Sequence, residues 1–432
     1  MNESFLHYVW QHQYYALAGL STEDGRSVTV RFPGVFNQNA GPDFLHARII
    51  IGEIEWNGAV EIHVDAADYY NHGHHKDMVY DQVILHVVWK NNRQIFRTDG
   101  TPIPAIELHQ RVSRDLLNSY ELLAHTINRI PCRSAVNQVP QEIISQMMNH
   151  AAEHRLEVKA NRVLELHKAA DNNWNEAAYR LLASCFGMKI NSELFMRVSE
   201  ALPLRIIQRY ANDLTDLESM LFGVAGLLEG LGCHDNYTSE LTDRFRHLRR
   251  KFELNVVVNS WDWKYHRMRP GNFPTQRLAQ LAALLKTSDG IFTRLLQIEN
   301  FKECEAWLKI QTSDYWVTHY DFGKIKSGSN SGVVGDDFIA HILINVCAPL
   351  VAAYAKWTHD ELLLERAVRL LKKLPAESNK LIRAWADLGI VPVNAYQSQA
   401  LIHQMQSNCR QRQCLECMVG TKILQRSVDV NS

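Results

Sequence analysis

Apolar positions change period twice within the first hundred residues. Over residues 3–17, Phe5, Tyr8, Val9 and His12 recur at helical spacing, which predicts an opening helix. From Ser27 the period falls to two. Val28, Val30 and Phe32 alternate with polar neighbours until Pro33-Gly34, so a strand is expected. Residues 47–51 and 59–64 read as two further strands, joined through 52–58 by a connector short enough for a hairpin. Residues 83–89 (VILHVVW) are apolar almost throughout, as in a central strand covered on both faces. Residues 94–97 and 103–108 complete an expected sheet of roughly five or six strands.

Beyond about residue 112 strand signals nearly vanish. Ile144, Met147, Met148 and Ala151 recur at helical spacing, as do Leu217, Met220, Leu221 and Val224. Helical patterns continue over 276–287, 290–298, 301–311, 337–355, 359–373 and 378–388. Residues 259–274 break the pattern with Trp, Arg, Pro and Gly, and Lys324 to Gly335 read as a flexible surface loop. No fixed-period repeat supports a solenoid. The expected fold is α+β: a mixed β-sheet domain with flanking helices over 1–115, a mainly α-helical region over 116–395, and a cysteine-rich segment over 396–432.

Charge narrows the partners. With 46 basic and 47 acidic residues the net charge is −1, so any nucleic-acid contact must be a local patch. A hydrophobic content of 46% supports real cores, leaving only the last few residues loose. The first residues lack a basic start followed by an apolar core, and no secretory signal is expected. The best apolar run, Phe338 to Ala353, contains His341 and Asn345 and reads as too short to span a bilayer. A cytoplasmic protein without a membrane partner is therefore expected.

The densest chemistry lies between Gly41 and His86. It comprises Pro42-Asp43, Glu61-Ile62-His63, Asp65, Asp68, His72, His74, His75, Asp77, Asp81 and His86. Glu61 and His63 are two apart on a strand and share a face. If the two strands form an antiparallel hairpin, Asp43 lies near the far end of the second, and Asp43, Glu61 and His63 can converge. Paired carboxylates repel unless a cation or proton sits between them, and their hard oxygens suit Mg²⁺ or Mn²⁺. His72 and His74 can supply nitrogen ligands to a Zn²⁺- or Mn²⁺-like ion, and a zinc hydrolase on His72, His74 and Asp77 is an alternative. The plainer alternatives are a turn at Asp43, the wet face of a strand, and a polar histidine loop. His86, inside an apolar strand, reads as a satisfied core histidine.

Pro42-Asp43 followed by Glu61-Ile62-His63, behind a helix and within a hairpin, resembles the core of the PD-(D/E)XK nuclease superfamily. The resemblance covers roughly the first hundred residues and departs where His63 replaces the usual lysine. It implies a restriction-endonuclease-like fold and a metal-dependent phosphodiesterase, a hydrolase acting on DNA or RNA. Asp43 and Glu61 would hold the metal, and His63 would orient water or stabilise charge. The alternative is a non-catalytic nucleic-acid- or protein-binding scaffold with a degenerate nuclease fold, which the loss of lysine favours.

Two further groups carry chemistry. Of eight cysteines, Cys409, Cys414 and Cys417 crowd together, and Cys414-x-x-Cys417 is a chelating bite. Zn²⁺ or an iron–sulfur cluster needs a fourth ligand, for which His403 and Cys132 are candidates. Some nuclease-superfamily members close an iron–sulfur cluster with one distant cysteine and three near the C-terminus, and Cys132 with the trio is similar. The alternative is reduced cysteines on a terminal helix or turn. Arg267, Arg269 and Arg277, among Trp261, Trp263 and Tyr265, are candidates for binding nucleic acid, with Arg244, Arg246, Arg249, Arg250 and Lys251 as a basic run. The alternative there is a solvated helix face.

The whole chain resembles a family of uncharacterised bacterial proteins of unknown function. The resemblance is carried by Asn39 to Phe44, Gly58 to Val64, His72-Gly-His74, Tyr80 to His86, Arg267 to Pro270, Asn272 to Pro274 and the cysteine trio. It implies a shared design holding both clusters, and no activity.

Overall fold

The computed structural model describes residues 1–232, 235–287, 290–326 and 334–429. The chain is α+β and divides into two compact units, residues 1–147 with 404–432, and residues 148–403.

The first unit opens with helix α1 (Glu3–Gln11), whose N-terminus is capped by the Asn2 side chain accepting from the Phe5 N–H. Phe5, Leu6, Val9 and Trp10 are fully buried. The helix stops at Gln11 instead of continuing to residue 17. Gln13 takes a left-handed φ of 52°, which no helix continues. Five principal strands follow: β1 (Val28–Phe32), β2 (Phe44–Ile51), β3 (Ile54–Asp65), β4 (Val83–Lys90) and β5 (Ala105–Glu107). They lie side by side in chain order, with residues 35–36 adding a short strand beside β2. β1, β2 and β3 run antiparallel, whereas β3, β4 and β5 run parallel. β4 is buried from Val83 to Trp89, as its unbroken apolar run predicts.

Two strand expectations need correction. The 52–58 connector is only Gly52-Glu53, because Ile54 to Asn57 continue the ladder against Arg48 to Ile51. β4 pairs with β3 only from Ala59 onward, so this outer stretch has no second neighbour and stays exposed. Its polar composition therefore resembles a loop. Residues 95–96 do not join the main sheet and pair with 102–103 as a separate ribbon. The turn between them needs Gly100 at φ 82°, and Arg97 anchors the ribbon by donating to the Asp81 and Val83 carbonyls.

The C-terminal segment belongs to this first unit. Helix Met418–Asp429 packs on helix Arg114–His125, with the Ser119 and Ser427 hydroxyls 2.7 Å apart. Residues 430–432, Cys233, and 327–333 of the expected loop lie outside the described residues. Residues 324–325 form a short strand paired with 319–321.

The second unit is helical apart from that ribbon. The run expected to be too short for a membrane span is one helical stretch, Asp336–Thr358, of 23 residues, including a π-turn at Leu343–Cys347. His341 and Asn345 do not break it, because the Asn345 amide donates back to the His341 carbonyl one turn away. It is long and apolar enough to cross a bilayer, yet 78% of its apolar window is buried inside the unit, as in a core helix.

Candidate metal centre

β3 delivers the first two groups. Glu61 and His63 alternate with Ile62 and so share a face. Their strand lies between β2 and β4, which leaves Glu61 3% and His63 1% exposed. Beyond β3 a single helical turn, Asp68–Asn71, ends at His72. Gly73 then takes φ 80°, a left-handed conformation favoured by glycine, and the 3₁₀ turn His74–Lys76 begins. This reversal brings His72 and His74 onto His63.

The donor atoms converge. His63 Nε2 is 3.3 Å from His72 Nδ1 and 3.8 Å from Glu61 Oε1. His74 Nε2 is 3.3 Å from the same Glu61 oxygen. His63, His72 and His74 each offer a ligand atom within 4.8 Å of the other two, the one such group among the described residues. Ligands about 2.05 Å from a tetrahedral ion sit about 3.3 Å from one another. The His63–His72 and His74–Glu61 spacings match that edge, and the 3.8 Å between His63 and Glu61 is longer.

Second contacts hold these groups in place. His63 Nδ1 lies 2.9 Å from His86 Nε2 on β4. If that His63 nitrogen donates, Nε2 keeps its lone pair facing His72 and Glu61. Glu61 Oε2 accepts from the Asp43 backbone N–H at 3.2 Å. Tyr80 stacks on the His74 ring at 3.9 Å.

Electrostatics point the same way. Burial, then the nearby Asp43, pushes the Glu61 carboxyl up to about 9. Burial, then His74, pulls His63 down to about 4, and burial followed by His72 lowers His74. His86 is lowered too, by burial and then His63. The acid resists ionising and the bases resist protonation. Neutral imidazole is the ligand form, and a bound divalent cation would make carboxylate the favoured state of Glu61.

The other candidates fall into distinct places. Asp43 lies just before β2, and its Oδ2 accepts from the Ile62 N–H at 2.8 Å and sits 3.3 Å from His7 Nε2. It thus adjoins Glu61 while tying β2 to β3. Asp77 caps the next 3₁₀ turn through the Val79 N–H, and Asp81 holds Thr98. His86 is buried as expected but not satisfied: its Nδ1 has no partner. Its role beside His63 follows from the parallel register Glu61↔His86, which the sequence did not announce. Tyr80 and His7 carried no sequence signal either.

The arginines separate in the same way. Arg267 and Arg269 are exposed. Arg277 is 4% exposed, its guanidinium 3.6 Å above the Phe338 ring and bonded to Gln280 and Asn272, so it cannot meet a phosphate on the surface. In the basic run, Arg244 pairs with Asp213, Asp216 and Glu240, Arg246 with Asp243, and Arg249 with Glu229, so acids offset the charge. His403, a candidate fourth ligand for the cysteines, instead faces His154, Nε2 to Nδ1 at 2.8 Å.

A family model described as protein of unknown function (DUF2851) matches residues 3–380. The match takes in the whole histidine–glutamate centre and ends before Cys409, Cys414 and Cys417. No curated protein and no solved structure matches the chain.

Proposed function

The chain belongs to the DUF2851 family of proteins of unknown function, and from its geometry we propose that it is a metal-dependent, nuclease-like phosphodiesterase whose ion is held by His63, His72, His74 and Glu61. The observation that carries this is the convergence of the His63, His72 and His74 imidazoles, with the Glu61 carboxyl against His63 and His74. Three nitrogens and one oxygen suit Zn²⁺ or Mn²⁺ better than Mg²⁺, which prefers oxygen and keeps its waters. Such an ion supplies Lewis acidity toward a phosphoryl oxygen and lowers the pKa of bound water.

The chain's own groups do the rest. His86 fixes the His63 tautomer, the Asp43 N–H orients Glu61, and Tyr80 holds the plane of His74. The phosphodiester assignment draws on the PD-(D/E)XK resemblance. α1 precedes the sheet, Asp43 stands before β2, and Glu61-Ile62-His63 lies on the neighbouring β3, in the order that resemblance requires.

One observation favours a second reading, a non-catalytic scaffold that binds nucleic acid or protein. His63 is held neutral and cannot supply the positive charge of the lysine it replaces. Incubating the full chain with labelled DNA and RNA oligonucleotides under Mn²⁺, Zn²⁺ or Mg²⁺ separates the two. The phosphodiesterase reading expects cleavage with Mn²⁺ or Zn²⁺, lost in folded Glu61→Gln and His63→Ala. Tight metal binding without cleavage of either substrate would leave only the scaffold.

A further inference from the structure

In the helical unit, residues 260–272 carry nothing longer than a 3₁₀ turn: Ser260–Asp262 opens the segment and Pro270–Asn272 closes it. It is pinned from beneath at three points. The Trp263 ring is buried, and its Nε1–H donates to the Ala225 carbonyl at 2.9 Å. Asn191, buried on helix Met188–Ala201, grips the Lys264 backbone from both sides. Its Nδ2 donates to the Lys264 carbonyl and its Oδ1 accepts from the Lys264 N–H, each at 3.0 Å. At the far end Asn272 Oδ1 accepts from the buried Arg277. Asn191 Nδ2 also reaches Met268 Sδ at 3.8 Å, and the Met268 N–H donates to the Tyr265 carbonyl. Residues 264–268 therefore close a turn over one buried amide, with His266 and Arg267 exposed. Arg267 makes the reversal at φ 61°. A glycine would adopt that conformation more easily but would carry no charge.

What this fixed segment shows to water is unmatched. Lys264, His266, Arg267 and Arg269 are exposed, and among the described residues none makes a hydrogen bond or ion pair through its side chain. Asp262 is the one acid between 261 and 270, and its Oδ2 accepts from the Asn259 N–H and side-chain amide. The basic run at 244–251 differs, because Arg244, Arg246 and Arg249 are each paired with an acid. Trp261 is 80% exposed, the most exposed tryptophan among the described residues. Covering an indole removes a large apolar area from water, and here that area is left open.

Unpaired cations beside an open aromatic face suit one class of partner. Guanidinium and ammonium groups neutralise phosphates, and an indole stacks on any base whose face is free. A base within a duplex is covered on both faces, so the indole selects against a double strand. An acidic protein would use the cations and leave the indole idle. One exposed ring also supplies little of the apolar face that holds a protein in a membrane surface. We propose that residues 261–269 bind a single-stranded polynucleotide, with Trp261 stacked on an unpaired base and Lys264, Arg267 and Arg269 on its phosphates. The surface shares no residue with the metal centre and stands whether or not the phosphodiesterase reading does.

The test is fluorescence anisotropy of labelled oligo(dT), labelled oligo(U) and a DNA duplex of matched length, titrated with the full chain in EDTA so that no metal-dependent cleavage intervenes. Either single strand is expected to bind more tightly than the duplex. Trp261→Ala should weaken single-strand binding about 10-fold and leave the weaker duplex binding unchanged. Arg267→Gln combined with Arg269→Gln should reduce the slope of log affinity against log salt by about 1.4, the share of two phosphate contacts. Arg246→Gln, in the paired run, should change neither. All four positions are exposed, and unchanged thermal unfolding confirms that each variant is folded. Four results each overturn the assignment: no single-strand binding, duplex binding as tight or tighter, affinity and salt slope unchanged in the variants, or displacement by polyglutamate or phosphatidylglycerol vesicles as effective as by unlabelled oligo(dT) at equal charge.

Discussion

The sheet unit and the helical unit both bury ionisable side chains, yet they do so in opposite ways. At the end of β3, imidazole nitrogens face one another and the Glu61 carboxyl. The His63 and His74 imidazoles, held in the neutral form, sit against the Glu61 carboxyl, His72 packs on His63, and His86 Nδ1 behind them has no partner. In the helical unit Lys159 is half-buried, and it donates to Asn345 Oδ1 at 2.9 Å and Gln399 Oε1 at 2.7 Å. Arg155 donates to the same Gln399 oxygen, and the Gln399 amide donates on to Glu377. There donors and acceptors match within the chain, and the network is a strut. The β3 cluster leaves His86 Nδ1 unmatched, and its imidazoles and carboxyl are all groups that can hold a cation. The partners that a buried ionisable group finds decide what it does there.

The largest expected effect tests the unmatched cluster. Glu61→Gln or His63→Ala should lower Zn²⁺ or Mn²⁺ affinity by more than about 100-fold, beyond the range of an outer-shell partner, as measured by isothermal titration calorimetry on folded protein. Affinity equal to wild type would break the comparison on its first side. Lys159→Met tests the other. Removing the ammonium from which Asn345 Oδ1 and Gln399 Oε1 accept should cost about 3 kcal/mol of unfolding free energy, read from denaturant midpoints, with metal affinity unchanged.

The same lysine gives a pH signature. Burial, then Arg155, pulls Lys159 down to about 7, against about 10.4 in an unfolded chain. Between those values the unfolded state binds the extra proton, so this residue's contribution to stability rises with pH and is complete above the unfolded value. The wild-type minus Lys159→Met difference in unfolding free energy should therefore be greater at pH 9 than at pH 7. A flat difference would mean that the ammonium is fully accommodated.

Smaller effects sharpen the picture. His86→Leu should weaken metal binding about 10- to 100-fold without unfolding the chain, because it frees the His63 tautomer and removes an unpartnered nitrogen. A larger loss would place His86 itself on the ion. Gly73→Ala should cost about 1 kcal/mol through its left-handed φ, visible in thermal unfolding, with a parallel but modest fall in metal affinity.

Much of the sheet unit was legible along the chain. β1 and the pairing of Glu61 with His63 on one face follow from a period of two, and β4 from its unbroken apolar run. The polar outer half of β3 read as a loop because nothing covers it, and the opening helix read too long because Gln13 turns left-handed. Arg277 read as a nucleic-acid contact because it neighbours Arg267 and Arg269, but its helix turns it inward against Phe338. Linear charge does not say which side of a helix faces the core.

The sequence by itself determined the α+β division, the density of acids and histidines between residues 41 and 86, and the Cys-x-x-Cys spacing of Cys414 and Cys417. These rest on backbone periodicity and side-chain chemistry, which are local. Only the tertiary structure decided that His72 and His74 fold back onto β3 and that a parallel strand sets His86 behind His63. Such meetings depend on strand order and on which surfaces packing removes from water. That choice belongs to the whole chain's free energy and leaves no mark on any short stretch of it.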